Sequence, residues 1–482
     1  MKILIDSPNL TDILVYLAFE EESFTFMLGE VNKQFGRTTW LYGRSAEESD
    51  ILVVGMGKRL DLTLERIRRA GGSAARAAQR EERGSTALVS HYSDGDHHRI
   101  SGDEWVKAWI EGWLLGLYRF EGYRGATKLN VSVDLLLTSK DWPELTAAEL
   151  EAACETGQSR AQGAMITRDL VNETPDTLNP SQFTQWLKEH FDCADQAVKV
   201  HIYRGQELAD LQMNGLLAVG AGGRHEPALV EIRYEGNPGL PMLAMVGKGV
   251  TFDMGGMNVK TAGDISDARM DMGGAAAVVG AMDILLRKKA HVNVTALIPV
   301  VDNIPSAEAT LPSSVIRYPN GLTVQVANTD GEGRLILADA LIHAANIGAA
   351  EAIDIATLTG NVGAALGLGI AGIWGDADMT RSLVEIGERN GERLWPMPLM
   401  DEYEADLRSN YADLRNVSSS PYAGAITAAL FIRRFVAESM KWVHIDMAGT
   451  VQYKQDMSYS EAGATGYGAR LLADYAMKGA SL

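Results

Sequence analysis

Set against about 100–200 residues per domain, the 482 residues of this chain predict two or three domains and exclude a small scaffold that needs disulfide or metal staples. With 63 acidic and 44 basic residues the net charge is −19, and 46% hydrophobic with 22% charged residues exclude a disordered or fibrous chain. The negative balance repels phosphate backbones and anionic lipid heads, so it argues against nucleic-acid and membrane partners and in favour of cations. Two cysteines, Cys154 and Cys193, are too few for a disulfide framework or a thiolate cage and suit packing roles in a reducing cytoplasm. The apolar run at residues 3–5 stops at Asp6, too short for a signal peptide, so export is not expected.

Residues 51–54 and 86–89 read as strands around a helical stretch at 63–80, which Gly71-Gly72 is expected to interrupt. The adjacent pair His97-His98 lies in a polar stretch and reads as solvated. A second helix at 103–120 and a strand at 129–137 complete an α/β layer domain. Trp142-Pro143 then opens a long helical pattern that continues to about Asn172. This predicts an N-terminal α/β domain at 1–160, a linker helix at about 143–172, and a larger catalytic domain at 173–482.

A new βα series begins near Val198, and the glycine pattern at 220–223 lacks the helix and ribose-binding acid a dinucleotide needs. Residues 242–246 form an unbroken apolar run, and 292–300 are broken only by Asn293 and Thr295, as strands covered on both faces require. Between them a helix from about Gly273 sets Ala275, Val278, Val279, Met282, Leu285 and Leu286 on one face, a βαβ crossover. Asn320-Gly321, with Leu322, Val324 and Val326 following at period two, predicts a hairpin. Residues 352–356, interrupted only by Asp354, read as another strand. Residues 355–375 carry no charge, long enough to consider a membrane span, but six glycines predict a buried strand with glycine-rich loops. The fold class expected is α/β, with a mixed, mostly parallel central sheet covered by helices in the larger domain.

The segment Asn328-Thr329-Asp330-Gly331-Glu332-Gly333-Arg334 sets two carboxylates and a guanidinium at alternate positions, so an extended backbone would aim all three the same way. By itself it reads as a polar strand-to-helix turn. Residues 246–256 follow an apolar strand at its C-terminal end, where open α/β sheets place ligands, so Lys248 and Asp253 are expected to project there. Alone, Asp253 before two glycines reads as a turn residue and Lys260 as a surface lysine. Asp271, just ahead of Gly273-Gly274, either caps the crossover helix or adds a carboxylate to the same crevice. Together Asp253, Asp271, Asp330 and Glu332 suit a pair of hard divalent ions, Mn²⁺, Mg²⁺ or Zn²⁺. No histidine falls in these segments, and there is no H-E-x-x-H.

These blocks resemble the leucyl aminopeptidase family, two-metal exopeptidases of the cytosol. The matching text is Val246-Gly247-Lys248-Gly249 with Thr251-Phe252-Asp253, then Lys260, Asp271-Met272-Gly273-Gly274, and Asn328-Thr329-Asp330 with Glu332-Gly333-Arg334-Leu335. Further matches are Asp354-Ile355-Ala356-Thr357-Leu358-Thr359-Gly360, Gly424-Ala425-Ile426-Thr427-Ala428, Asp446-Met447-Ala448-Gly449-Thr450 and Gly463-Ala464-Thr465-Gly466. The resemblance is dense from about Arg168 onward and thin before it.

It implies a metal-dependent aminopeptidase that releases N-terminal residues from peptides, a homo-hexamer located in the cytoplasm. One ion would be held by Lys248, Asp253, Asp271 and Glu332, and the second by Asp253, Asp330 and Glu332. Lys248 would have to ligate as a neutral amine. Lys260 would polarise the scissile carbonyl, and Arg334 would hold a bicarbonate-like anion as general base. Ala268, Thr357, Leu358, Gly360 and Ala448 would line the pocket for the substrate. The chain departs from the family at Met254, where serine is usual, at Gly331, where alanine is usual, and at Leu311-Pro312-Ser313-Ser314. Ala268 replaces a methionine of several relatives and implies a roomier pocket. The competing readings are a two-metal phosphoesterase, which a carboxylate crevice with lysine and arginine would also suit, and a structural or DNA-binding assembly on the same fold, which the net charge disfavours.

Overall fold

The computed structural model describes the chain apart from residues 8–10, 22–30, 44, 46–47, 90–99, 124, 126–131, 193–196, 262–264 and 480–482. His97-His98 and Cys193 lie outside the described residues. Two compact units emerge: Met1–Met165 with Arg389–Gly391 and Tyr453–Gly463, and the remainder from Ile166 onward. The long helix Ala147–Asn172 supplies residues to both.

In the first unit six strands run in the order Ile3–Ile5, Asp134–Leu137, Ser85–Val89, Ile13–Phe19, Asp50–Gly57, Thr38–Leu41, parallel except for the last. The helix Leu64–Arg80 runs through Gly71-Gly72 without the expected break. Its glycines serve close packing: a methyl at Gly71 would stand 2.6 Å from the Trp109 carbonyl of the helix Gly102–Leu117. Gly116 comes equally near the Gly72 carbonyl. Trp105, Trp109 and Trp113 fill the core beside them, with buried Cys154 in the same cluster.

The second unit is built on nine strands. The order is Leu394–Pro396, Ala371–Gly375, Lys441–Asp446, Glu351–Ala356, Leu243–Gly247, Asn293–Asn303, Ala228–Glu235 and Val198–Arg204, with Gly249–Asp253 also on Asn293–Asn303. Five of these, Lys441–Asp446, Glu351–Ala356, Leu243–Gly247, Gly249–Asp253 and Asn293–Asn303, are parallel and so end at the same edge. Their residues alternate between two cores: Met245, Ile298 and Ile353 pack with Val278 and Met282 of the crossover helix Gly273–Arg287, while Val246, Leu297 and Ala352 pack with Leu337 and Leu341 of the helix Glu332–Asn346. Burial on both faces explains the near-continuous apolar runs in the sequence.

The Asn320-Gly321 hairpin forms with Ile316 opposite Val324. The charge-free stretch 355–375 divides into a strand end, the short helix Gly360–Leu366 and the strand Ala371–Gly375. Among the described residues no helix is long and apolar enough to cross a membrane. A second expectation also fails. Residues 330–334 are not extended: Asp330 sits in a turn, and Glu332 and Arg334 occupy the first turn of a helix. At 100° per residue those two side chains diverge instead of pointing together.

Candidate active site

The parallel strand ends deliver the polar groups. Lys248 lies between the strands Leu243–Gly247 and Gly249–Asp253, Asp253 closes the second of them, and Thr357 follows Glu351–Ala356. Asp271 precedes the crossover helix, and Asp330 with Glu332 arrives from the turn ahead of the opposite helix. Lys248, Asp253 and Glu332 retain 4% or less of their exposure, so their charges must be met locally.

They are met by one another. Lys248 Nζ lies 2.6 Å from Asp271 Oδ2 and 2.8 Å from Glu332 Oε1, and donates to the Thr357 carbonyl at 3.0 Å. Lys260 Nζ pairs with Asp253 Oδ2 at 2.7 Å and with Asp330. Thr357 Oγ1 donates to Asp271 Oδ1 at 2.8 Å. Asn303 Nδ2 donates to Asp253 Oδ1 at 2.8 Å and to the Thr329 carbonyl at 3.1 Å.

Burial, reinforced by the charge of Glu332, pushes the Asp253 carboxyl up to about 6, and burial lifts Asp271 above the carboxylate range. Burial acts the same way on Glu332, but Lys248 outweighs it and holds that carboxyl low. Burial opposes the Lys248 charge, yet Asp271 and Glu332 prevail and raise its pKa. Without cations the lysine is therefore an ammonium, the opposite of the neutral ligand that the resemblance implies. The negative charge of its neighbours is the reason, and only positive charge among those neighbours would reverse it.

Asp253, Asp330 and Glu332 each offer an oxygen, all within 4.8 Å of one another. This is the set expected for the second ion. Asp271 pairs with Lys248, and its buried Oδ2 has no further partner among the described residues. The donor set of oxygens with one amine fits hard or borderline divalent cations.

The cluster opens on a cavity of about 420 Å³. Ala268, Thr357, Leu358, Gly360 and Ala448 all line it, beside Lys248, Asp253, Lys260, Asp271, Asp330 and Glu332. Arg334 does not. Its Nη1 donates to the Asn416 carbonyl at 3.0 Å, its Nε is buried without a hydrogen-bond partner among the described residues, and burial lowers its pKa.

Sequence reasoning gave no role to Met270, Val451 and Gln452 in the wall, nor to Asn303, Asp446 and Asn416 behind it. Asn303 and Asp446 end apolar parallel strands, a signal that could have found them. Asn416 follows a two-residue strand and carries no such mark.

Comparison with known proteins identifies the family. The cytosol aminopeptidase family model for the catalytic domain matches residues 165–473, and that for the N-terminal domain matches residues 28–127. The probable cytosol aminopeptidase of Geobacter sp. (strain M21) is 36% identical over 429 residues, covering 88% of this chain and 85% of that protein. The one from Mycobacterium ulcerans (strain Agy99) is 37% identical over 437 residues, covering 88% and 80%. Among solved structures, the bottromycin maturation enzyme BotP in complex with Mn is 29% identical with a TM-score of 0.88, covering 97% of this chain and 99% of that one. A tomato leucine aminopeptidase mutant is 27% identical with a TM-score of 0.86, covering 99% and 96%. With both domain models matched in order and relatives above 30% identity along most of its length, this chain belongs to the cytosol aminopeptidase family and is a hydrolase of the leucyl aminopeptidase type.

Proposed function

We propose that the chain is a two-metal aminopeptidase acting on peptides with a free N-terminus. The observation that carries this reading is the convergence of four carboxylates and two lysines on one cavity at the parallel strand ends. Two divalent ions, Mn²⁺ or Zn²⁺ with Mg²⁺ as a further option, would supply an acidified water and positive charge opposite the developing oxyanion. Manganese gains support from the Mn complex of the structurally similar BotP.

Asp253 and Glu332 would serve both ions, with Lys248 and Asp271 completing one ligand set and Asp330 the other. Lys260, about one-third exposed on the cavity, presents its ammonium to the scissile carbonyl as charge grows on that oxygen. By the family resemblance Arg334, which does not itself line the cavity, would hold a bicarbonate-like anion serving as general base. Ala268, Leu358, Gly360 and Ala448 receive the first side chain, while Thr357 fixes Asp271 beside it. The net reaction consumes one water and releases an amino acid and a shortened peptide. The working enzyme is a cytoplasmic homo-hexamer, as the family resemblance implies.

The test offers leucine p-nitroanilide and its N-acetylated counterpart to the Mn²⁺-loaded protein, before and after chelation. Cleavage of the free-amine substrate alone, lost on chelation, is expected. Turnover of the acetylated substrate, or activity that survives metal removal, contradicts the reading.

A further inference from the structure

We propose that Asn416 is the positioning residue that sets the segment carrying Asp330 and Glu332, and Arg334 with it. The residue is fully buried and follows the strand Leu414–Arg415, which pairs parallel with Thr323–Gln325. Its backbone N–H continues that ladder to the Gln325 carbonyl at 3.0 Å. Its side chain then takes over where the partner strand stops. Oδ1 accepts from the Ala327 N–H at 2.8 Å and the Asn328 N–H at 3.2 Å. Nδ2 donates to the Asn328 carbonyl at 2.6 Å and the Gly331 carbonyl at 3.3 Å. The Asn416 carbonyl accepts from Arg334 Nη1 at 3.0 Å.

A primary amide has two acceptor lone pairs and two donor hydrogens, and here all four are spent on the backbone of one five-residue segment. That segment is otherwise tied on its opposite side, through Thr329 to Asn258 and Gly255. Asn416 is therefore the second wall of a cradle, and it fixes how far Asp330 and Glu332 stand from Asp253. The same residue orients Arg334, so one side chain and one carbonyl couple the carboxylates to the guanidinium. Aspartate has the shape of asparagine, but it faces the Asn328 and Gly331 carbonyls with a second oxygen. Serine is too short to span the segment.

The functional consequence rests on the two-metal reading above, because outer partners of metal ligands typically change metal affinity or activity by about 10–100-fold when replaced. The test compares the full chain with Asn416→Asp and the milder Asn416→Ser. Amide hydrogen exchange of the metal-free protein is read over residues 327–334, and Mn²⁺ affinity is read by calorimetry. Exchange at least about tenfold faster in that segment, with the other strand ends unchanged, and Mn²⁺ binding weaker by about 10–100-fold are expected.

Exchange that is unchanged, or that rises evenly across the catalytic unit, overturns the proposal. So does wild-type Mn²⁺ affinity in both variants. Should the wild-type chain bind no Mn²⁺, the two-metal reading fails while the exchange measurement still decides whether Asn416 holds the segment.

Discussion

Lys248 reaches its carboxylates because residue 333 has no side chain. A methyl there would stand 2.6 Å from Lys248 Cε and 2.8 Å from Nζ, and the lysine is too buried to swing aside. Gly333 is thus required for space, in the first turn of an ordinary helix, and not for an unusual backbone. Replacing it by alanine overpacks the site, which costs about 1–3 kcal/mol. Gly333→Ala is expected to lower the melting temperature modestly and kcat/KM for a leucine substrate by at least about tenfold, since a displaced Lys248 no longer presents its amine beside Glu332 and Asp271. Wild-type kinetics in a variant with a lowered melting temperature would separate packing from function and refute this role. The glycine was legible in the sequence; its partner was not. Alternation along 330–334 suggested three side chains aimed together, whereas the helix start turns Arg334 toward Asn416.

At the scale of elements, two loops build the cavity wall, and Asp446 ties them. Its Oδ1 accepts from the Leu358 N–H at 3.2 Å and the Ala448 N–H at 3.1 Å, and its Oδ2 accepts from Thr359 Oγ1 at 2.6 Å. Thr359 Oγ1 in turn caps the helix Gly360–Leu366. Behind this tie, the buried Asp354 accepts from Trp442 Nε1 at 2.6 Å and pairs with His444 Nδ1 at 2.5 Å. Asp446→Ala frees the wall, so KM for a leucine substrate is expected to rise at least about tenfold with Mn²⁺ affinity little changed. Asp446→Asn keeps an oxygen for both N–H groups and should retain most of the binding. A fall in kcat alone, with KM unchanged, would mean that the loops do not depend on this tie. The strands themselves were readable because sheets covered on both faces demand apolar runs. In the hydrophobic pattern Asp354 reads as an interruption of an apolar strand. Its meaning depends on Glu351–Ala356 lying beside Lys441–Asp446, ninety positions away, and no local pattern announces that neighbour.

Across the whole molecule, the acidic excess of −19 is distributed, but its most consequential part is four carboxylates gathered around two lysines. Folding brings these acids together from segments as far apart as residues 253 and 332, so the repulsion of Asp253 and Asp271 with the Asp330–Glu332 segment exists only in the native state. The pressure is visible in Asp253, pushed up to about 6 by burial and by Glu332. Cations that bind this native cluster and not the unfolded chain must therefore stabilise the fold. At a free concentration about 100 times the dissociation constant, one site contributes about 2.7 kcal/mol. In a unit of this size that corresponds to a rise in melting temperature of several degrees. Thermal scans should show this rise with Mn²⁺ and its reversal by a chelator. The increment should disappear in Glu332→Gln, which removes the carboxylate shared by both proposed ion sites. Sodium chloride at matched ionic strength screens surface charges and leaves buried ones nearly untouched, so it should not reproduce the effect. An equal increment in wild type and Glu332→Gln would place the stabilising ion elsewhere on the acidic surface, and the convergence of these acids would then have no bearing on how the protein binds metal.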